Sequence, residues 1–327
     1  MAVLVTGGMG VLGSMVSEAL VARGERPVLY ARHLDRSLIP PDVLDRVEYV
    51  RGDVLDLPNL VHAIRRHRVS RIVHMAALLI GECQENPWLG FKVNAEGTVN
   101  VFEAARMADV ERVVYTSSKS VYGAVGAPYG HPTYAPLPED APKNPIRVYD
   151  VTKLAGEHMA QNYVASFGLD VVTLRLASTF GPGKLVRHGP VSWHSRLVEN
   201  ALAGQPARLP QGGDQPDDMI YHRDIAQAIA LACYAERLEH RVFNVGRGEP
   251  ATMREFADAV RRVIPGAAID VGPGLDYYGS GISYYSVYDI SRARKELSFE
   301  PRFDLEAGVR DYIATMQRLG IPPTVVA

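Results

Sequence analysis

The chain has 327 residues, 47% of them apolar, with 35 Lys and Arg against 37 Asp and Glu and a net charge of −2. That length supports a large core in one or two domains, and the balanced charge excludes a basic field for nucleic acid or an anionic membrane, leaving a small molecule as the expected partner. No apolar run approaches the ~18 residues of a spanning helix, Met1 abuts the first strand without room for a cleavable leader, and two isolated cysteines, Cys83 and Cys233, suit a reducing compartment, so a cytoplasmic protein is expected.

In chain order, Ala2-Val3-Leu4-Val5 reads as a buried strand that leads through Thr6-Gly7-Gly8-Met9-Gly10-Val11-Leu12-Gly13 into a helical stretch from Ser14. Gly8, Gly10 and Gly13 match the dinucleotide fingerprint, in which glycines give a tight turn, a bare backbone against a pyrophosphate and a close helix contact. Gly7, Met9, Gly10, Val11, Leu12 and Gly13 are therefore candidate cofactor contacts, with the helix N-terminus aimed at the phosphates. Strand-like runs follow at residues 27–31, 46–50, 71–75 and 113–116, separated by helical periodicity at residues 57–68 and 93–108. Such alternation means parallel strands with right-handed crossovers, hence an α/β doubly wound sheet of Rossmann type. Residues 127–145 carry six prolines and read as a loop.

The end of the second strand bears on the cofactor. It runs Ala31-Arg32-His33 with no acid before Asp35. An acid there binds ribose hydroxyls and an arginine accommodates the extra phosphate, so Arg32 leans the expectation toward NADP over NAD. Asp53, with Val54 beside it, either accepts from the adenine amine or caps the next helix.

A tyrosine four residues before a lysine occurs at Tyr115/Lys119 and at Tyr149/Lys153. Four residues along a strand span about 13 Å, whereas helical neighbours at this spacing lie about 5–6 Å apart. Only Tyr149/Lys153, at the start of a helical run, can work as a unit. The ammonium would favour the phenolate of Tyr149 and leave donors for a ribose. Ser118, just past the fifth strand, could hold a substrate oxygen while Tyr149 moves the proton and a nicotinamide the hydride.

These motifs, together with His74-Met75-Ala76-Ala77, the run from Asn94 to Arg106, Leu174 to Gly183, Tyr221 to Ile229, Val242 to Ala257 and Tyr288 to Leu297, resemble the extended short-chain dehydrogenase/reductases along nearly the whole chain. Members of that family epimerise, dehydrate or reduce nucleotide sugars. The resemblance implies that Ser118, Tyr149 and Lys153 form the catalytic trio and that Ala76, Ala77 and Asn94 line the cofactor site. It also implies a dinucleotide-binding domain over residues 1–177, with 214–246 returning to it, and a smaller C-terminal α/β substrate domain over 178–213 and 247–327. The helices at 93–108 and 149–167 would pair across a two-fold axis in a homodimer.

Departures from the family pattern bear on the substrate. Lys119-Ser120 stands where the dehydratases carry Asp-Glu, so no acid is evident to expel water. No Lys or Arg lies between Arg262 and Arg292, where relatives place arginines for a diphosphate; Tyr277, Tyr278, Tyr284, Tyr285 and Tyr288 occupy that stretch. The expectation is a small substrate without a nucleoside diphosphate, such as a hydroxy acid, sugar derivative or aromatic alcohol, held partly by tyrosine rings such as Tyr278. The alternative is that the tyrosines are core. Ser178, Lys184 and Arg187 are candidate substrate contacts, the last two in a basic cluster with His188, His194 and Arg196 that either holds an anion or forms a solvated face. His74 and His222 read as packed side chains, and no spacing suits a metal. The C-terminal residues 321–327 read as a frayed or docking tail. Three functions follow: an NAD(P)-dependent oxidoreductase of a secondary alcohol, first; a sugar or nucleotide-sugar epimerase that keeps its NAD, second; a non-catalytic dinucleotide-binding protein, third.

Overall fold

The computed structural model describes residues 2–188 and 192–326. Its strands are β1 (Ala2–Thr6), β2 (Arg26–Ala31), β3 (Glu48–Arg51), β4 (Val69–His74), β5 (Arg112–Ser118), β6 (Val171–Leu176), β7 (Ser178–Phe180), β8 (Ala207–Leu209), β9 (Asp217–Tyr221), β10 (Val242–Val245), β11 (Pro250–Ala251) and β12 (Ile269–Val271). Seven of them form one sheet in the order β10-β6-β5-β4-β1-β2-β3, every neighbouring pair parallel. This is the expected doubly wound sheet. Helices cover both faces, which is why β1 is apolar at consecutive positions instead of alternating. Val3 and Val5 face Met15, Leu20, Ile225 and Ile229, while Leu4 faces Leu60, Ile64, Val101 and Phe102.

The C-terminal region is a smaller α/β unit. β7 and β11 flank β9 in one sheet and β8 pairs with β12 in another. Helices Trp193–Leu202, Met253–Val263 and Leu305–Leu319 close a third core around Phe180, Tyr221, Phe256, Tyr277 and Tyr312. The tyrosine-rich stretch is mostly core: Tyr277, Tyr285 and Tyr288 are 1% exposed and Tyr284 8%, against 39% for Tyr278. The proline-rich loop is stapled to this region by Leu137, whose N–H donates to the Val287 carbonyl and whose own carbonyl accepts from the Asp289 N–H. The tail docks: Asn200 exchanges hydrogen bonds with the Val326 backbone, and the Thr324 N–H donates to Glu199. Ala327, the last residue of that tail, lies outside the described residues. No helix of the described residues is long and apolar enough to cross a membrane.

Two boundaries differ from expectation in ways that touch the site. β5 runs on to Ser118, so this serine ends a strand and is not past one. The helix expected at 93–108 opens as a π turn, Lys92–Glu96, before continuing as Gly97–Met107. π turns re-aim side chains within a helix, and this one carries Asn94.

Candidate active site

The cofactor cleft begins at the glycine turn. Gly7 has φ 70°, in the left-handed region where a side chain is strained. A Cβ on Gly13 would lie 2.4 Å from the Gly7 carbonyl oxygen, so the helix Val11–Ala22 touches the turn backbone. Its N-cap is Gly10, no side chain caps it and no acid occupies its first turn, which leaves the amides available to an anion. These features fit a dinucleotide pyrophosphate. Gly7, Met9, Gly10, Val11, Leu12 and Gly13 line one cleft with Arg32, Asp53, Val54, Ala76 and Ala77, and with Tyr149 and Lys153 at its far end.

Three expected residues take other places or roles. Asn94 is 2% exposed and does not line the cleft; its side chain bonds the Leu78 N–H and carbonyl and reaches the Thr152 hydroxyl. It positions the rim behind Ala76 and Ala77, because the π turn aims it at the loop backbone. Asp53 accepts from the Leu55 N–H, and the cap of helix Leu57–His67 is Asp56. Arg187 pairs with Asp35 across the cofactor rim, 2.5 Å away, and lines the cofactor cleft with His188. His74 is a packed side chain as expected, bonded to Thr6 at 2.7 Å and Thr98 at 3.0 Å. His222 is buried too, but it opens the helix His222–Tyr234 and is not within a strand.

The helix Val148–Phe167 sets the chemistry. Asp150 in its first turn accepts from the Arg147 N–H at 2.9 Å and the Tyr284 hydroxyl at 2.7 Å, fixing where the helix starts. Tyr149 and Lys153 then share a face. Lys153 Nζ donates to the Thr116 carbonyl at 2.9 Å and lies 5.7 Å from the Tyr149 ring centre. Burial raises the Tyr149 phenol well above its ordinary range, opposed by a hydrogen bond with Ser118. Burial also pushes the Lys153 ammonium down to about 8. Desolvation thus dominates the phenol, and the opposing influence comes from Ser118 and not from the ammonium neighbour that was expected to supply it. A Cβ on Gly156 would meet the Tyr115 hydroxyl at 2.4 Å, so glycine lets the helix close on β5. Tyr115 and Lys119 diverge as the strand geometry required: the Tyr115 hydroxyl donates to the Lys153 carbonyl, while Lys119 turns to β7 and β9.

Behind the trio, Arg175 and Glu157 form a buried pair at 2.6 Å that also binds Ser117 and Tyr122. On the C-terminal side, Lys119 Nζ lies 2.5 Å from Asp217 and 2.9 Å from Ser178, while Ser178 and the Tyr277 hydroxyl both donate to Asp217. Sequence reasoning missed Asp217 and took Lys119 only as the discarded partner of Tyr115 and as a residue standing where an acid was sought. The one signal was a lysine placed directly after Ser118, at the end of a strand-like run. Lys184 Nζ donates to the Thr179 carbonyl and hydroxyl.

Comparison with known proteins bears on these assignments. The family model for the NAD dependent epimerase/dehydratase family matches residues 3–246. The chain is 33% identical to the UDP-glucose 4-epimerase of Streptomyces lividans over 273 residues, 80% of each chain. It is 30% identical to that of Mycolicibacterium smegmatis, over 94% of this chain and 96% of the relative. The UDP-glucose 4-epimerase of Thermus thermophilus, solved with NAD, superposes with a TM-score of 0.80 at 29% identity, covering 97% and 99% of the two chains. A Bordetella bronchiseptica enzyme solved with NAD and UDP gives a TM-score of 0.75 at 25% identity, covering 98% and 96%.

These relatives overturn the expected oxidoreductase of a small alcohol without a nucleoside diphosphate and favour the epimerase alternative. The error was physical. Arginines were sought in one stretch of chain, whereas a cation can arrive from another: Arg147, from the loop before the catalytic helix, lies 4.8 Å from the Tyr284 ring centre, at the tyrosine stretch itself. Backbone amides also take phosphates without any arginine. From the glycine turn to the trio, the chain belongs to the NAD dependent epimerase/dehydratase family of extended short-chain dehydrogenase/reductases.

Proposed function

We propose that the protein is an NAD-dependent 4-epimerase of UDP-sugars. The observation that carries this is the near-full-length likeness to UDP-glucose 4-epimerases together with Tyr149 and Lys153 in the lining of the cofactor cleft and Ser118 hydrogen-bonded to Tyr149. NAD, when bound, supplies the reversible oxidation of the sugar's secondary alcohol. Ser118 holds that hydroxyl, and Tyr149 takes its proton and later returns it. Lys153 orients the cofactor ribose and favours the Tyr149 phenolate as the reaction proceeds. Arg32, exposed on the cleft rim, is compatible with either dinucleotide; NAD in the solved relatives supports NAD.

In this reading residues 1–177 and 214–246 hold the cofactor, and 178–213 with 247–327 hold the sugar nucleotide. A homodimer is supported by exposed apolar side chains along neighbouring helices, Trp88, Phe91, Val151 and Phe167 among them. Free, buried Cys83 and Cys233 accord with a reducing cytoplasm.

The test is conversion of UDP-glucose to UDP-galactose by purified protein without added cofactor. Tyr149→Phe is expected to lower kcat by roughly 10²–10⁴. Full turnover in that variant, or stoichiometric consumption of external NAD with a keto product, would sink the reading.

A further inference from the structure

We propose that Asp35, held in place by Arg187 from the C-terminal region, binds the adenosine ribose and selects NAD over NADP, although it lies four residues beyond the end of β2. This rests on the NAD-dependent reading above and names the residues behind the cofactor choice.

β2 ends at Ala31, a methyl group where an acid would be needed to hold the ribose of NAD. Arg32 follows, exposed, and its side chain has no ion pair or hydrogen bond among the described residues. Three acids line the cofactor cleft: Asp35, Asp53 and Glu82. Asp53 follows β3 and accepts from the Leu55 N–H, while Glu82 accepts from the Leu79 N–H at 2.9 Å. Asp35 alone comes from the connection after β2, about 20 residues on from the glycine turn. Two contacts keep it at the cleft. Its carboxylate accepts from the Ser37 N–H at 2.9 Å and from Arg187, on the helix Lys184–His188. The same loop presses on the residue before that helix: at Gly183, φ 81°, a Cβ would lie 2.9 Å from Leu38. Hydrogen bonds from Ser37, and after them the Arg187 charge, hold the Asp35 carboxyl below its ordinary value.

The side chains of Arg187 and Asp35 are 34% and 45% exposed. At that exposure an ion pair adds little to stability, so its effect falls on what enters the cleft. Each Asp35 oxygen keeps acceptor capacity beyond its present bond, and a ribose hydroxyl can donate to it. A 2′-phosphate brings negative charge against the carboxylate instead. Arg187 would suit that phosphate as a forked donor, but Asp35 already matches its charge. Only the exposed Arg32 is left to favour NADP, so the hydroxyl form wins.

Fluorescence titration of the full chain, freed of nucleotide with charcoal, by NADH and by NADPH tests this without any turnover. The wild-type protein should bind NADH about tenfold or more tighter than NADPH, as a charge-assisted contact predicts. Asp35→Asn should shrink that ratio about tenfold or more, chiefly through tighter binding of NADPH. Asp35→Asn/Arg187→Gln should lose the gain for NADPH, because Arg187 is the cation set free. Arg187→Gln alone should weaken NADH without strengthening NADPH, which marks Arg187 as a positioning residue. Equal affinities in the wild-type protein, an unchanged ratio in Asp35→Asn, or a gain for NADPH that survives in the double variant overturns the inference. Each of these leaves the epimerase reading in place, since conversion of UDP-glucose by the wild-type protein is scored separately. If neither nucleotide binds, the epimerase reading itself fails and takes the inference with it.

Discussion

Glu157 and Arg175 have side chains only 2% and 3% exposed, yet they carry full opposite charges behind the catalytic trio. Two guanidinium nitrogens meet the carboxylate, Ser117 donates to it, and Arg175 reaches Tyr122 and the Glu139 carbonyl. Breaking such a pair strands a buried charge and costs about 3–5 kcal/mol, whereas replacing both members with apolar side chains of similar size costs far less. Glu157→Gln should therefore lower unfolding free energy by about 3 kcal/mol in urea titrations, more than the double variant Glu157→Leu/Arg175→Met. A double variant at least as destabilised as the single one would show that the pair is net stabilising. None of this was legible in the sequence, because the partners sit 18 residues apart on a helix and a strand whose register is set only by packing. The trio was legible, since helical spacing alone puts Tyr149 and Lys153 on one face. The Lys119–Asp217 contact spans 98 residues and joins two regions, so no local pattern announces it.

At the scale of elements, the helix Val148–Phe167 is where fold becomes chemistry. Its start is held by Asp150, which is tied to Tyr284 from the C-terminal region and to the backbone of Arg147. Asp150→Ala removes that cap and leaves the Tyr284 hydroxyl without its acceptor. The expected result is a stability loss of about 1–2 kcal/mol, with kcat falling more than affinity for UDP, because Tyr149 is the adjacent residue. Unchanged kcat in a folded variant would detach the cap from catalysis. The strands of the large sheet were readable because a sheet covered on both faces demands unbroken apolar runs. The π turn was not: a five-residue departure in hydrogen bonding leaves the apolar spacing of the following helix intact, so periodicity at 93–108 gave a helix without showing where Asn94 points.

For the whole molecule, buried histidines govern the acid side of stability. Burial holds His74 and His194 down to about 3, and His222 well below its ordinary value. Unfolded, each takes a proton near pH 6.5; folded, each stays neutral. The unfolded state then binds more protons, so this contribution is present above pH 6.5 and is lost as pH falls toward 3. Asp218, raised to about 6 by burial, acts in the opposite sense between its unfolded value and 6, and Glu139 and Asp224, which burial also raises, act in that sense too. Stability should therefore fall from pH 7 to pH 5 with a net uptake of protons on unfolding, the histidines' uptake being partly offset by the three carboxyls. His194→Phe should reduce that uptake by about one, measured from unfolding free energies at a series of pH values. A flat profile down to the carboxylate range would refute it.

The strand order has a consequence for how the chain is made. β1 emerges first but sits inside the sheet between β4 and β2, and the far edge is closed only by β10, at residues 242–245. Until about three-quarters of the chain has been synthesised, β6 presents an unpaired edge, the kind of edge that pairs with other chains. A chain stopped before Val242 would hold the glycine turn, the trio and most of the cofactor cleft, yet leave the β6 edge open to other chains.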